Sequence, residues 1–176
     1  MLMQRLNARL LSLAGATALM LGAASGIHAT AQTAALPVTA TISPQCTIST
    51  AAVAFGAYDP IVTNVSAALT QTGTVSVTCT TGASTTVTLG QGSNANGGSS
   101  AAVPLRRMKA GTADFLSYEL YSDSGRSTVW ADTAPTGKAH TGVGTQTDLT
   151  VYGSVPGGQN AATGNYTDSV VATVTF

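Results

Sequence analysis

Beyond residue 32 the chain alternates apolar and polar residues at every second position, in runs short enough to be single strands. In the last run Val170, Ala172, Val174 and Phe176 fall on one face, and Val171, Thr173 and Thr175 on the other. Val75, Val77 and Cys79 alternate with Thr74, Ser76, Thr78 and Thr80, and Val87 and Leu89 with Thr86 and Thr88. Leu116, Tyr118 and Leu120 enclose Ser117 and Glu119, and Leu149 and Val151 repeat the pattern. A period of two sets one face of a strand against a core and the other in water. The polar face is mostly Thr and Ser, and β-branched Thr suits an exposed pleated surface. Gly- and Asn-rich turns separate the runs, with no helical period among them. This pattern predicts an all-β antiparallel sandwich. Gly90 to Ala102 and Pro135 to Thr147 read as long flexible loops.

The final run places a large apolar residue, Phe176, in a strand, so it is expected to pair inside a sheet rather than fray. A second strand-like run precedes the first cysteine: Ala34, Leu36, Val38, Ala40 and Ile42 alternate with Thr33, Ala35, Pro37, Thr39 and Thr41. It reads either as an ordinary first strand of its own sandwich or as a strand that pairs with another molecule. Pro37 lacks an N–H and is a poor residue for a central strand. That alone does not separate the two readings.

Met1 to Arg9 is short and basic, Leu10 to Ala24 is apolar, and Ala29 and Ala31 are placed for cleavage before Gln32. Residues 1–31 therefore read as a secretory signal peptide. The apolar run falls short of the roughly 20 residues a membrane span needs. The remainder, from residue 32, is one domain by length. Losing Arg5 and Arg9 takes seven basic residues to five against seven acidic ones, a net charge near −2. No basic patch is present to attract nucleic acid. Cys46 and Cys79, an even pair in an exported chain, are read as one disulfide, which would stabilise the domain by roughly 3–4 kcal/mol in the chain-entropy view. A metal pair or a redox pair are the alternatives. The spacing is not Cys-x-x-Cys, and a zinc site would lack further ligands.

Catalytic chemistry finds little to stand on. His140 is the single histidine after residue 32, and no Gly-x-Ser-x-Gly turn accompanies it. The carboxylates Asp59, Asp114, Glu119, Asp123, Asp132, Asp148 and Asp168 are scattered. Asp123-Ser124-Gly125 is a turn rather than a calcium loop, and Gly90-Gln91-Gly92 opens no helix, so no nucleotide fingerprint is read there. Asn64-Val65-Ser66 and Asn165-Tyr166-Thr167 match the glycosylation sequon, a short pattern that recurs by chance in Thr/Ser-rich chains. Phe55, Tyr118, Tyr121 and Trp130 read as packing residues, and Arg106 with Arg107 as a solvated pair. The chain is read as a non-enzyme with no cofactor and no metal.

The ordered set Cys46, Phe55-Gly56-Ala57-Tyr58-Asp59-Pro60, Val75-Ser76-Val77-Thr78-Cys79, Val87-Thr88-Leu89-Gly90 and Arg107-Met108 resembles the spore coat U domain family. So do Leu116-Ser117-Tyr118-Glu119-Leu120-Tyr121, Val151-Tyr152-Gly153-Ser154-Val155-Pro156 and Gly164-Asn165-Tyr166-Thr167-Asp168. That family includes subunits of archaic (Csu-type) chaperone–usher pili. The resemblance implies an incomplete immunoglobulin-like sandwich, residues 44–176, completed by donor-strand exchange, with residues 32–43 as the N-terminal donor segment. Leu36, Val38, Ala40 and Ile42 would be the donor side chains. Val170, Ala172, Val174 and Phe176 would border the acceptor groove, where a chaperone also docks. The partners it implies are a periplasmic chaperone, an outer-membrane usher and other pilus subunits in a head-to-tail polymer. The chain would pass through the periplasm to the cell surface and serve in attachment and biofilm formation. An adhesive binding module, or a secreted spore-coat or matrix protein of the same fold, are the alternatives. An adhesin of this type would carry a further domain ahead of the sandwich, and none fits between Ala31 and Cys46.

Overall fold

The structure, a computed structural model, describes Gly26 and residues 29–176. The expected leader, residues 1–31, lies almost wholly outside the described residues. Residues 29–45 form no strand or helix, and Leu36, Val38 and Ile42 are exposed.

From Cys46 onward nine strands follow: β1 (Cys46–Ala51), β2 (Leu69–Cys79), β3 (Ser84–Leu89), β4 (Arg107–Ala110), β5 (Asp114–Ser117), β6 (Glu119–Tyr121), β7 (Lys138–Thr141), β8 (Gln146–Val155) and β9 (Ala172–Thr175). One sheet has the order β1-β2-β8-β6, a second β7-β3-β9, and β4 pairs with β5. Every ladder is antiparallel. The fold is an all-β, open, immunoglobulin-like sandwich. Its core follows from the alternation: Val75 and Val77 of β2 and Leu149, Val151 and Val155 of β8 are buried in one cluster with Val87 and Leu89 of β3. Each such side chain contributes about 1.5–3 kcal/mol on leaving water. Trp130 fills the middle, fully buried, and its indole N–H donates to the Val87 carbonyl at 2.7 Å. Cys46 and Cys79 face each other across β1 and β2, with Cα atoms 4.2 Å apart, and are joined by a disulfide.

The run Leu116–Leu120 is not one strand. All three of its apolar residues are buried, but the backbone changes partners at Tyr118, whose N–H donates to the Arg106 carbonyl. Before it β5 pairs with β4, and after it β6 pairs with β8.

Two expectations need correction. Pro135 to Thr147 is not a flexible loop: a 3₁₀ turn at Ala134–Thr136 leads into β7, which pairs with β3 over Ser84–Val87. Its sequence, Lys-Ala-His-Thr, carries no apolar alternation, so the ladder there is a backbone affair. Gly137 and Gly142, which read as loop signals, sit where a Cβ would strike Thr86 and the Thr80 carbonyl. Nor are Arg106 and Arg107 a solvated pair. Arg107 stacks over the Phe115 ring at 3.9 Å. Arg106 is 1% exposed. Its guanidinium donates to the carbonyls of Leu89, Gly90 and Trp130 at 2.8 to 2.9 Å and pairs with Glu119. Burial pushes the Glu119 carboxyl above its usual range, against the pull of Arg106.

Arg106 thereby joins the end of β3 to β6 in the other sheet. The segment after β6 completes that side: Trp130 N–H donates to Leu120, Ser122 N–H to Thr128, and Leu89 N–H to Ala131. One long side of the sandwich is laced shut. Replacing Arg106 by Met leaves Glu119 and three carbonyls buried without their donor, at a cost of about 3–5 kcal/mol. Urea unfolding of the two chains measures it, and a change under about 1 kcal/mol, the value of a surface pair, would show the clasp to be incidental.

Candidate functional site

The opposite long side is built from the residues that follow β1 and precede β9. After Ala51 the chain leaves the β1 ladder and crosses the face of the first sheet. Gly73 of β2 and Gly153 of β8 make this crossing possible. A Cβ on Gly73 would lie 2.7 Å from Val53 Cγ2, and one on Gly153 2.6 Å from Val53 Cγ1 and 2.7 Å from Phe55 Cζ. Val53 and Phe55 therefore rest directly on backbone, and Phe55 meets Tyr118 edge to face with ring centroids 6.0 Å apart. Gly56 turns the chain with φ of 78°. The Tyr58 hydroxyl donates to the Pro156 carbonyl at 3.0 Å.

Facing this segment runs the stretch from Tyr166 to Phe176. It behaves as one extended edge longer than β9 itself. Thr167 exchanges both backbone hydrogen bonds with Lys109, Ser169 accepts from Ser93, Val171 accepts from Gly90, and Thr173 and Thr175 lie opposite Thr88 and Thr86. All these pairings turn toward β4 and β3. In such a ladder the alternate residues, Asp168, Val170, Ala172 and Val174, turn their peptide groups the other way, and β9 has no neighbouring strand on that side among the described residues. On the side-chain faces Val170, Ala172 and Val174 are half-buried against the core, while Val171, Thr173 and Thr175 are exposed. Phe176 follows β9 and is exposed. β9 is an edge strand and so is β1, and their Cα atoms come within 8 Å of each other.

Between the two edges lies a groove. It consists of two adjoining hollows of about 740 and 540 Å³, which share Val53, Phe55, Met108, Tyr166 and Thr167. The larger reaches Pro60, Leu69 and Val155 at one end, and the smaller reaches Ala51, Val75, Leu89 and Ala172. Its floor is the hydrophobic core itself. An open core beside an unpaired strand edge is the arrangement that takes up an extended peptide by strand addition.

The rim is held by polar groups that sequence reasoning did not single out as a site. The Tyr118 hydroxyl donates to Asp168 Oδ2 at 2.7 Å, and Asp168 Oδ1 accepts from the Asn94 backbone and side-chain amides at 3.1 and 3.0 Å. Burial, then the Asp168 hydrogen bond, drives the Tyr118 hydroxyl above its normal titration range, so it remains a donor. These contacts anchor the Tyr166–Val170 edge to the loop after β3. The Tyr166 hydroxyl donates to the Ala162 carbonyl at 2.9 Å. Asn64 is 3% exposed and both ends of its amide are engaged within its own loop, so that sequon is not an accessible acceptor. Among the described residues no group of His, Cys, Asp and Glu side chains is arranged to hold a metal ion.

Comparison with known proteins bears on this geometry. Residues 32–173 match the family model of the Spore Coat Protein U domain. Protein U of Myxococcus xanthus is 44% identical over 159 residues, which cover 86% of this chain and 89% of that protein. Among solved structures, a chain of the CsuC–CsuE chaperone–tip adhesion subunit pre-assembly complex, from archaic chaperone–usher Csu pili of Acinetobacter baumannii, is similar with a TM-score of 0.55. The identity is 21%; the match covers 77% of this chain and spans 40% of that one. This last likeness is one of fold.

Replacing Tyr118 by Phe keeps the ring packing and removes one hydrogen bond from a carboxylate, at a cost of about 1.5–3 kcal/mol. Hydrogen exchange should quicken at residues 166–171 and leave β2 and β8 protected. Uniform exchange with unchanged stability would show that the Asp168 contact does not hold the rim.

Proposed function

The chain belongs to the Spore Coat Protein U domain family, and from that premise we propose that it is a structural subunit of an archaic chaperone–usher pilus, polymerising by donor-strand complementation. In this reading residues 1–31 are the export signal, residues 32–43 the donor segment and residues 44–176 the sandwich. The observation that carries it is the groove between β1 and the Asp168–Phe176 edge, where core side chains and unpaired peptide groups lie side by side. Leu36, Val38, Ala40 and Ile42 of a neighbouring copy enter it, with main-chain bonds to the edge supplying affinity and alternate side chains supplying register. Val170, Ala172, Val174 and Phe176 line the receiving edge.

The likeness to a chaperone–subunit complex supports a periplasmic chaperone as the first occupant, shielding an edge that would otherwise aggregate. An outer-membrane usher then exchanges it for the next subunit. Head-to-tail exchange is heterologous and does not close, so its product is a fibre on the cell surface, suited to attachment and biofilm formation. A second reading, a secreted spore-coat or matrix protein of the same fold, is favoured by the likeness to Protein U. It uses the same groove with a different final assembly.

Deleting residues 32–42 and co-expressing the chaperone tests the proposal. The truncated chain should form a stable chaperone complex yet no longer extend polymers. Continued fibre formation would sink donor exchange. A stable free monomer would sink the groove as well.

A further inference from the structure

The two ends of the β2–β8 ladder are built differently from the rest of the surface. At one end Thr80 meets Gln45 and Cys79 meets Gly144, and the turns Thr80–Ala83 and Gly142–Thr145 gather around the disulfide. At the other, the loop Asp59–Ala67 packs on Pro156 to Gln159. The turns at both ends contain no Lys or Arg. Every Lys and Arg after residue 32 lies elsewhere in the chain, and Asp59, the one carboxylate of the loop, accepts the Ile61 and Val62 N–H groups at 2.9 and 3.0 Å.

That loop is stiff. Asn64 accepts from the Asp59 amide and donates to the Ala67 carbonyl, its own N–H donates to Asp59, and Gly158 N–H donates to the Asn64 carbonyl. The bonds leave Ile61, Val62 and Val65 standing 79, 73 and 56% exposed. At the disulfide end Val143 is 55% exposed. Ordered aliphatic side chains on turns that hold no Lys or Arg and a single carboxylate have the composition of an interface core.

The strand directions say what meets what. β9 runs from Ala172, opposite Leu89, to Thr175, opposite Thr86, and so toward the disulfide end. Each ladder of the molecule is antiparallel, and the Asp168–Phe176 edge is longer than β1, so an incoming strand pairs antiparallel to β9. It therefore leaves the groove at the opposite end, beside Pro60. After Ile42 only Ser43, Pro44 and Gln45 remain before Cys46 of the incoming copy. Three extended residues span about 10 Å at roughly 3.3 Å each.

We propose that the Ile61–Val65 loop of one copy seats against the Val143 turn at the disulfide end of the next, forming a second, apolar joint between consecutive subunits. The joint rests on the donor-exchange reading and adds to it a fixed angle between neighbours. The chain's own two ends cannot satisfy each other, because the eleven residues of β2 hold them roughly 33 Å apart.

The test uses the full chain assembled with its chaperone and usher, carrying Val62→Cys, Val143→Cys or both. Both sites of substitution are exposed, and the native cysteines are already paired. Filaments of the double variant, treated with a short bis-maleimide and boiled in SDS, should run as a covalent ladder, and both single variants as monomers. Adding Val65→Asp to the double variant should lower the cross-linked fraction about tenfold, the equivalent of roughly 1.4 kcal/mol. Filaments that form normally but give no ladder would overturn the joint and leave donor exchange standing. A cross-linked dimer from either single variant would overturn it too, because like ends would then be meeting. So would maleimide labelling of Val62→Cys as fast in filaments as in the chaperone complex. If the unsubstituted chain forms no donor-dependent polymer, the joint falls together with the reading beneath it.

Discussion

One buried guanidinium decides which side of this sandwich is finished. Arg106 reaches the carbonyls at the end of β3 and the carboxylate at the start of β6, and so fastens one sheet to the other. A buried charge is tolerated only when its donors are used, and here backbone carbonyls meet Nε and Nη2 while the Glu119 carboxylate meets Nη1. Trp130 and the segment around it cover what Arg106 fastens. With that side closed, the sheets cannot relax toward each other there. The deficit of the fold is confined to the other side, between β1 and β9.

The deficit has a definite chemistry. A sandwich with too few strands exposes core side chains and leaves peptide groups unpaired, and water satisfies the second but not the first. Along Asp168–Phe176 the two needs occur at the same residues: backbone groups face the gap while Val170, Ala172 and Val174 turn toward the core. A peptide of alternating pattern meets both at once. The run from Ala34 to Ile42 has that pattern, and the proposal of donor exchange follows from this match between a groove and a sequence in the same chain.

Much of the fold was legible because alternation reports burial directly. β2, β3 and β8 each contain the apolar residues that announced them, β9 holds Ala172 and Val174 of its four with Val170 just before it and Phe176 exposed just after, and Leu116, Tyr118 and Leu120 are buried as their spacing predicts. What the alternation does not carry is partner identity. The change of sheet at Tyr118 is invisible, since side chains keep their period while the backbone changes neighbours. β7 was unreadable for the opposite reason: its pairing is real, but its side chains follow no pattern. Arg106 misled because charge ordinarily marks solvent, and the carbonyls that draw it inward belong to residues up to 24 positions away. The rim of the groove depends on Tyr118 and Asp168, 50 residues apart, which no local motif could join.

The disulfide has a mechanical meaning. Residues 29–45 enter the sandwich at Cys46, the first residue of an edge strand held by one neighbour. A pull on that lead-in would peel an unlinked β1 away one hydrogen bond at a time, the weakest way to load a ladder. The bond to Cys79 hands the force to β2, which lies between β1 and β8 inside the sheet. Tension then bears on the ten residue pairs of the β2–β8 ladder along their length. Rupture requires shearing the sheet rather than unzipping its edge.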